Sequence, residues 1–347
     1  MKILVDILGG DTAPKNMVEG AIMAMQQDPE LTCVLVGDEN YARPEIEKAG
    51  LLARTEFLHT TENIAFDEQP TQAVRRSNTS MMMAFDKLKS GDEYSAVVSA
   101  GSTGALLAGG VLKVGRIEGV SRPTLCPPMP TNKPGVKVIL ADAGANVDCK
   151  PIHLVHFALM TDAYSRLVLG VKSPRIALVN VGTEDTKGNE LTNATFPVLK
   201  ALHERGAINF VGNMEARDVL GGDFDAIICD GFVGNVLLKS LEGAIKIMGK
   251  KVKQVCTASI FAKIGALFLR KGLRKMKESL SEDATGGSPL LGTKKPVIKA
   301  HGNSSALAFK NAILVGATAA RSNVNDAIKE ALEKHKDLIA EMTTEKK

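Results

Sequence analysis

No tryptophan occurs in this 347-residue chain, and aromatic residues make up only 4% of it. Single-strand nucleic-acid binders stack bases on aromatic faces, so that function, and nucleic-acid partners in general, are not expected. With few rings available, the core must be built from Val, Ile, Leu, Ala and Met. Cysteine is scarce too. Cys33, Cys126, Cys149, Cys229 and Cys256 are odd in number, widely spaced and form no CxxC, which argues against a disulfide framework or a structural zinc site. Free thiols in a reducing compartment are the simpler reading. No apolar run reaches the ~18–20 residues of a spanning helix. The opening run is too short for a secretory signal and is broken by Asp6. A cytoplasmic protein is expected.

Several motifs are also missing. There is no GxxxxGK[ST], no GxGxxG and no GxSxG, so neither a P-loop, nor the dinucleotide fingerprint, nor a nucleophile elbow is present. His153 and His156 stand three apart in a helical pattern, but no HExxH or third ligand accompanies them. No metal site is expected.

What is present is alternation. Short β-branched runs end in Gly, Asp or Asn at residues 3–10, 33–37, 96–101, 136–144, 176–182, 208–212 and 226–231. Several are apolar throughout, as in parallel strands buried on both faces. Helical patterns lie between them, at residues 16–27, 72–90, 151–169 and 191–205. This order predicts an α/β fold with a doubly wound sheet, kept as a single domain over residues 1–347. Ligands bind such sheets at the carboxyl ends of the strands, so the Gly/Asp/Asn clusters should meet in one crevice. Residues 246–280 break the pattern. Ten basic residues and no acidic one lie between Ile245 and Glu278, interleaved with Ile260, Phe261, Ile264, Leu267 and Phe268. That reads as a protruding pair of basic amphipathic helices, which could lie on an anionic membrane, dock an acidic protein or pack in a dimer. The segment from Val324 reads as a charged helix with a frayed end.

Five clusters could carry chemistry. Asp6, Gly9, Gly10 and Asp11 precede a helix whose first turn would take Pro14, a setting for an anion or simply a tight turn. Ser99, Gly101, Ser102 and Gly104 open a small-residue helix, as a phosphate cradle or as plain N-capping. Lys187 lies between glycines on a strand-end loop beside Asn189, suited to neutralise phosphate or a developing oxyanion, or merely solvated. Asp230 and Asn235 flank GFVG, where Asn235 can donate to a substrate carbonyl or cap a helix. His301 stands in KAHGNSS, the only histidine in site-like surroundings.

Taken in order, residues 6–14 (DILGGDTAP), 98–110 (VSAGSTGALLAGG), 142–151 (DAGANVDCKP), 180–191 (NVGTEDTKGNEL), 230–239 (DGFVGNVLLK), 286–292 (GGSPLLG) and 297–304 (VIKAHGNS) closely resemble the phosphate acyltransferases of the acyl-ACP:phosphate type, the PlsX family. The family usually has Met, His and Asn where this chain has Leu8, Thr12 and Ser102. The resemblance implies an isocitrate/isopropylmalate dehydrogenase-like fold and a homodimer without metal or organic cofactor. It also implies transfer of a long-chain acyl group from acyl carrier protein to inorganic phosphate. Members sit peripherally on the membrane and feed acyl phosphate to a membrane glycerol-3-phosphate acyltransferase. Lys187, Asn235 and His301 are then the expected catalytic groups. Asp6, Gly9, Gly10, Asp11, Ser99, Gly101, Ser102, Gly104, Asn189 and Asp230 are the expected phosphate or substrate contacts. Rival readings are an acyl-CoA-using phosphotransacetylase, a dehydrogenase and a membrane scaffold.

Overall fold

The computed structural model describes residues 1–279 and 286–343. The last residue of the expected basic protrusion and the expected frayed C-terminal end lie outside them.

The chain forms two sheets, not the single doubly wound sheet expected. The first contains β1 (Lys2–Asp6), β2 (Thr32–Gly37), β3 (Thr55–His59), β4 (Tyr94–Ser99), β5 (Thr124–Leu125), β11 (Ser288–Leu291) and β12 (Val297–Lys299). The second contains β6 (Pro128–Pro130), β7 (Lys137–Ala141), β8 (Arg175–Asn180), β9 (Asn209–Glu215) and β10 (Ala226–Ile228). The orders are β3-β2-β1-β4-β12-β11-β5 and β6-β7-β10-β8-β9. Both sheets are mixed: β11 runs against both its neighbours in the first, and β6 runs against β7 in the second. The crossing from one sheet to the other takes two residues, Cys126 and Pro127, between strands two and three residues long.

The first sheet is covered on both faces. Helices α1 (Lys15–Gln27) and α10 (Ala306–Arg321) pack on one face, joined by α2 (Glu39–Lys48). On the other face lie α4 (Ser80–Ser90), α5 (Thr103–Gly109) and the short α3 (Pro70–Ala73). Burial on both faces explains why Ile3, Leu4 and Val5, three consecutive residues, are each fully enclosed. The second sheet is covered by α6 (Pro151–Leu167) and α7 (Glu190–Glu204), with α11 (Val324–Lys334) and α12 (Lys336–Thr343) outside them. Its other face meets the start of α8 (Gly231–Thr257). Leu291 of β11 shares a core with α6, so apolar packing is continuous between the two halves.

Two local expectations change. Residues 72–90 are not one helix: the chain turns at Ser77–Asn78–Thr79, where the Thr79 hydroxyl donates to the Arg76 carbonyl at 2.9 Å. Hydroxyl and amide side chains compete with the helix ladder in this way. Pro14 stands before α1 rather than in its first turn, on a cis Ala13–Pro14 bond.

Helices α8 and α9 (Ile260–Ser279) are bent by 119° to one another. After Gly234, no described side chain in either helix is buried. Among the described residues, no single helix is long and apolar enough to cross a membrane.

Candidate functional site

Three adjacent parallel strands of the first sheet, β1, β4 and β12, end at Asp6, Ser99 and Lys299. The chain leaves β1 toward β2 on one side and later places β4 on the other. This is the switch point where open α/β sheets take ligands. The following loops are laced together around Asp6, which is 1% exposed. Its Oδ1 accepts from the Leu8 and Gly9 N–H groups at 3.1 Å each, and its Oδ2 accepts from Ser99 Oγ at 2.6 Å. Ser99 Oγ in turn accepts from Gly101 N at 3.0 Å. Asp11 N donates to Gly302 O at 2.7 Å. A Cβ on Gly9 would stand 2.6 Å from Gly101 N, and Gly10 has φ +109° with the Gly302 carbonyl beside it. Asp6 and Ser99 therefore organise the loops, and the N–H groups of Gly9, Asp11 and Gly101 are spent inside the protein. Ser102 caps α5 by accepting from Ala105 N, and Gly104 lies in its first turn against Pro70.

Lys299 was not singled out from the sequence. It is 8% exposed, and its Nζ donates to Ala100 O at 3.4 Å and to Ala300 O. Burial pushes its ammonium pKa down to about 8, partly offset by the charges of Asp6 and Asp11 and reinforced by Lys239. Burial also pushes the Asp6 carboxyl above the usual range, against the hydrogen bonds it accepts.

The second sheet supplies the facing wall. Asp142 follows β7 and is fully buried. It accepts from Leu125 N at 2.9 Å and Asn146 Nδ2 at 3.0 Å. Gly231 N donates to Asn146 O at 2.7 Å, and a Cβ on Gly234 would lie 1.9 Å from Asp142 O. Glycine alone lets α8 start this close to the loop. Asp230 caps α8, accepting from Val233 N at 2.9 Å. Asn235, one turn in, is exposed, and its Cβ stands 3.4 Å from where Gly144 would carry one.

Between the walls lies a cleft of about 980 Å³. Its polar lining includes Asp11, Thr103, Asn235, Lys239, Glu242, Lys299 and His301. Its apolar lining includes Leu125, Met129, Leu220, Leu238, Leu241 and Ile245. Of the expected catalytic groups, Asn235 and His301 meet here, with His301 Nδ1 accepting from Asn303 N at 3.3 Å. Lys187 is not among the lining residues. It sits exposed on the loop after β8, held by Asn180 Nδ2 donating to its carbonyl at 2.8 Å. Asn189 caps α7, accepting from Thr192 N at 3.0 Å. The clusters thus divide: those after β1, β4 and β12 form one wall, those after β7 and β10 the other, and the β8 loop stands outside the lining. Thr103, Lys239 and Lys299 were missed, though all three lie inside or beside motifs that the sequence displays. His153 and His156 lie away from the cleft, each accepting from a backbone N–H, of Lys150 and Ser121 respectively.

A strand-end cleft lined by both polar and aliphatic side chains, between two mixed sheets, defines an α/β protein with a site at its strand ends. Solved structures share this fold. The EutD phosphotransacetylase of Staphylococcus aureus is 19% identical, with 93% of this chain and 94% of that one covered at a TM-score of 0.57. A phosphotransacetylase of Streptococcus pyogenes is 16% identical, with 92% and 94% covered at 0.58. At such identities the likeness is one of fold. Sequence carries it further. A family model described as "Fatty acid synthesis protein" matches residues 1–327. Proteins named phosphate acyltransferase from Brevibacillus brevis and Clostridioides difficile are each 44% identical, over 96% and 97% of this chain and 98% of each relative. The chain belongs to this phosphate acyltransferase family and is an acyltransferase.

Proposed function

We propose that the chain moves a long-chain acyl group from the thioester of acyl carrier protein to inorganic phosphate, releasing acyl phosphate for phospholipid synthesis. The observation that carries this reading is the mixed lining of the cleft, in which cations and hydrogen-bond donors share one cavity with aliphatic side chains. Phosphate needs little activation: its esters lose their second proton near pH ~6. A phosphate oxygen bonds to the thioester carbon, the carbonyl becomes an oxyanion, and the C–S bond then breaks. The leaving thiolate has a parent pKa of ~8.5 and takes up a proton, for which His301 is the nearest lining imidazole. Asn235 donates to the oxyanion. Lys187 lowers the repulsion between the two anions. The isocitrate/isopropylmalate dehydrogenase-like fold, the homodimer and hand-over of acyl phosphate to a membrane glycerol-3-phosphate acyltransferase belong to the same reading. No metal or organic cofactor has a part in this chemistry.

The test is to incubate pure protein with acyl carrier protein thioester and phosphate and trap acyl phosphate with hydroxylamine. Hydroxamate from the carrier thioester, and little from acyl-CoA, is expected. Efficient use of acyl-CoA would replace the donor. No hydroxamate from either would remove the reaction.

The same reading places the protein peripherally on the cytoplasmic membrane surface, with α9 as the contact. Ile260, Phe261, Ile264, Leu267 and Phe268 are 51–86% exposed, and Ile260, Ile264, Leu267 and Phe268 follow helical spacing. Large apolar patches left open mark contact surfaces, and the basic residues around this one suit an anionic bilayer at about 1 kcal/mol each. Phe261→Asp is expected to abolish flotation with liposomes rich in anionic lipid without changing the melting midpoint. Equal flotation of both proteins would remove membrane insertion.

A further inference from the structure

We propose that Lys299 is the cation that binds the acceptor phosphate, at the foot of the cleft where the loops after β1, β4 and β12 meet. This rests on the function proposed above and names the residue that holds its second substrate.

The placement comes first. Lys299 ends β12 and pairs with Ser99 at the end of β4, whose hydroxyl holds Asp6 at the end of β1. Its side chain is 8% exposed yet lines the cleft. Lysines are almost never this buried without a paired charge. Here two N–H donors go to the neutral carbonyls of Ala100 and Ala300, and among the described residues no carboxylate oxygen stands within ion-pair distance of Nζ. The carbonyls orient the ammonium without neutralising it, and a buried charge so left is costly. A phosphate dianion would supply the missing counter-charge.

The groups around it fit that role. His301 and Lys239 of α8 line the same cleft, Lys239 being paired with Glu242 at 2.7 Å. Asp6 faces from β1, but its oxygens are occupied by Leu8, Gly9 and Ser99. Asp11, on the following loop, and Glu242 of α8, which holds Lys239, are the carboxylates that line the cleft. Phosphate could arrive as the free ion or as the diester of the donor's pantetheine arm. The depth of Lys299, behind glycine loops too close for a Cβ, favours the small free ion.

A lysine that merely bridges carbonyls predicts something different. Removing it would destabilise the protein and leave phosphate binding alone. Removing an uncompensated charge should do the reverse. The test therefore uses Lys299→Met, which keeps the length of the side chain, and measures three quantities. Phosphate binding is titrated without any acyl donor, the KM values for phosphate and donor are separated, and the melting midpoint is recorded. The expected result is phosphate binding weakened at least about tenfold, donor KM within about twofold, and a melting midpoint at or above that of the wild type.

Wild type provides a second reading that needs no variant. The Lys299 ammonium titrates near 8, so phosphate affinity should fall about tenfold per unit as pH rises beyond that value. Asp6 and Asp11 favour the charged form and Lys239 disfavours it. The falling limb should be absent in Lys299→Met. Unchanged phosphate binding in the folded variant overturns the proposal. So does a rise in donor KM alone, which would assign the lysine to the pantetheine diester. Should the variant fail to fold, a flat wild-type profile across that limb overturns it as well. Wild type that binds phosphate but makes no acyl phosphate sinks the proposed reaction and leaves this site standing.

Discussion

Asn235→Ala is expected to lower turnover by about 10²–10³-fold and to leave the fold intact, as removal of one oxyanion donor does elsewhere. The helix that carries Asn235 is fixed to better than a side chain's freedom. Gly231 N bonds Asn146 O at 2.7 Å, Gly234 rests directly on the Asp142 carbonyl, and Asp230 caps the first turn. The amide therefore enters the cleft from a backbone with nowhere to move, which is the condition under which a donor discriminates transition state from ground state. Because the side chain itself is exposed, its truncation should cost within about 0.5 kcal/mol of stability. Asn235→Asp sharpens the test. It keeps shape, loses both donors and adds a negative charge where an anion forms, so its loss should equal or exceed that of alanine. Stopped-flow or hydroxamate assays at saturating donor would check both. An aspartate variant as fast as wild type would mean that the carbonyl points elsewhere.

How far the sequence announced this site depends on the residue. The loops after β1, β4, β7 and β10 were legible because glycine, Asp and Asn after an apolar run have a local physical meaning. Their roles were less legible. Asp6, read as a phosphate contact, turns its oxygens inward to Leu8, Gly9 and Ser99. Asn189 and Asp230, read as substrate contacts, cap α7 and α8 with their side chains. Lys299 stood in plain view in VIKAHGNS and passed unnoticed, because lysine at a strand end normally reaches solvent. Its burial is produced by Ala100 and Ala300 and by loops some 200–290 residues away in sequence. The split into two sheets was hidden for a related reason. The connection runs through strands of two and three residues, and periodicity needs longer runs to register. Strand β11, the reversed one, and the β3 edge left no alternation at all.

Lys187→Ala carries the second large effect, a fall in kcat of about 10²-fold or more with kcat/KM falling in step, the signature of an interaction made in the transition state alone. The structure makes this prediction demanding. Lys187 lies on the β8–α7 loop, outside the residues that line the cleft, while its backbone is braced by Asn180 and its stem lies over Gly182, whose Cβ would come within 3.1 Å of it. The loop is further tied by Asn213 Nδ2 donating to Glu184 O at 2.8 Å. A braced loop with a flexible four-carbon stem can deliver a point charge to a carrier-bound donor without moving the sheet, and the truncated protein should melt like the wild type. Arginine at this position restores charge but in a broad, planar head, so partial recovery is expected from Lys187→Arg if charge is what matters. Near wild-type turnover in Lys187→Ala would instead confine the cationic work to Lys239 and Lys299 inside the cleft, whose lining also includes Asn235 and His301.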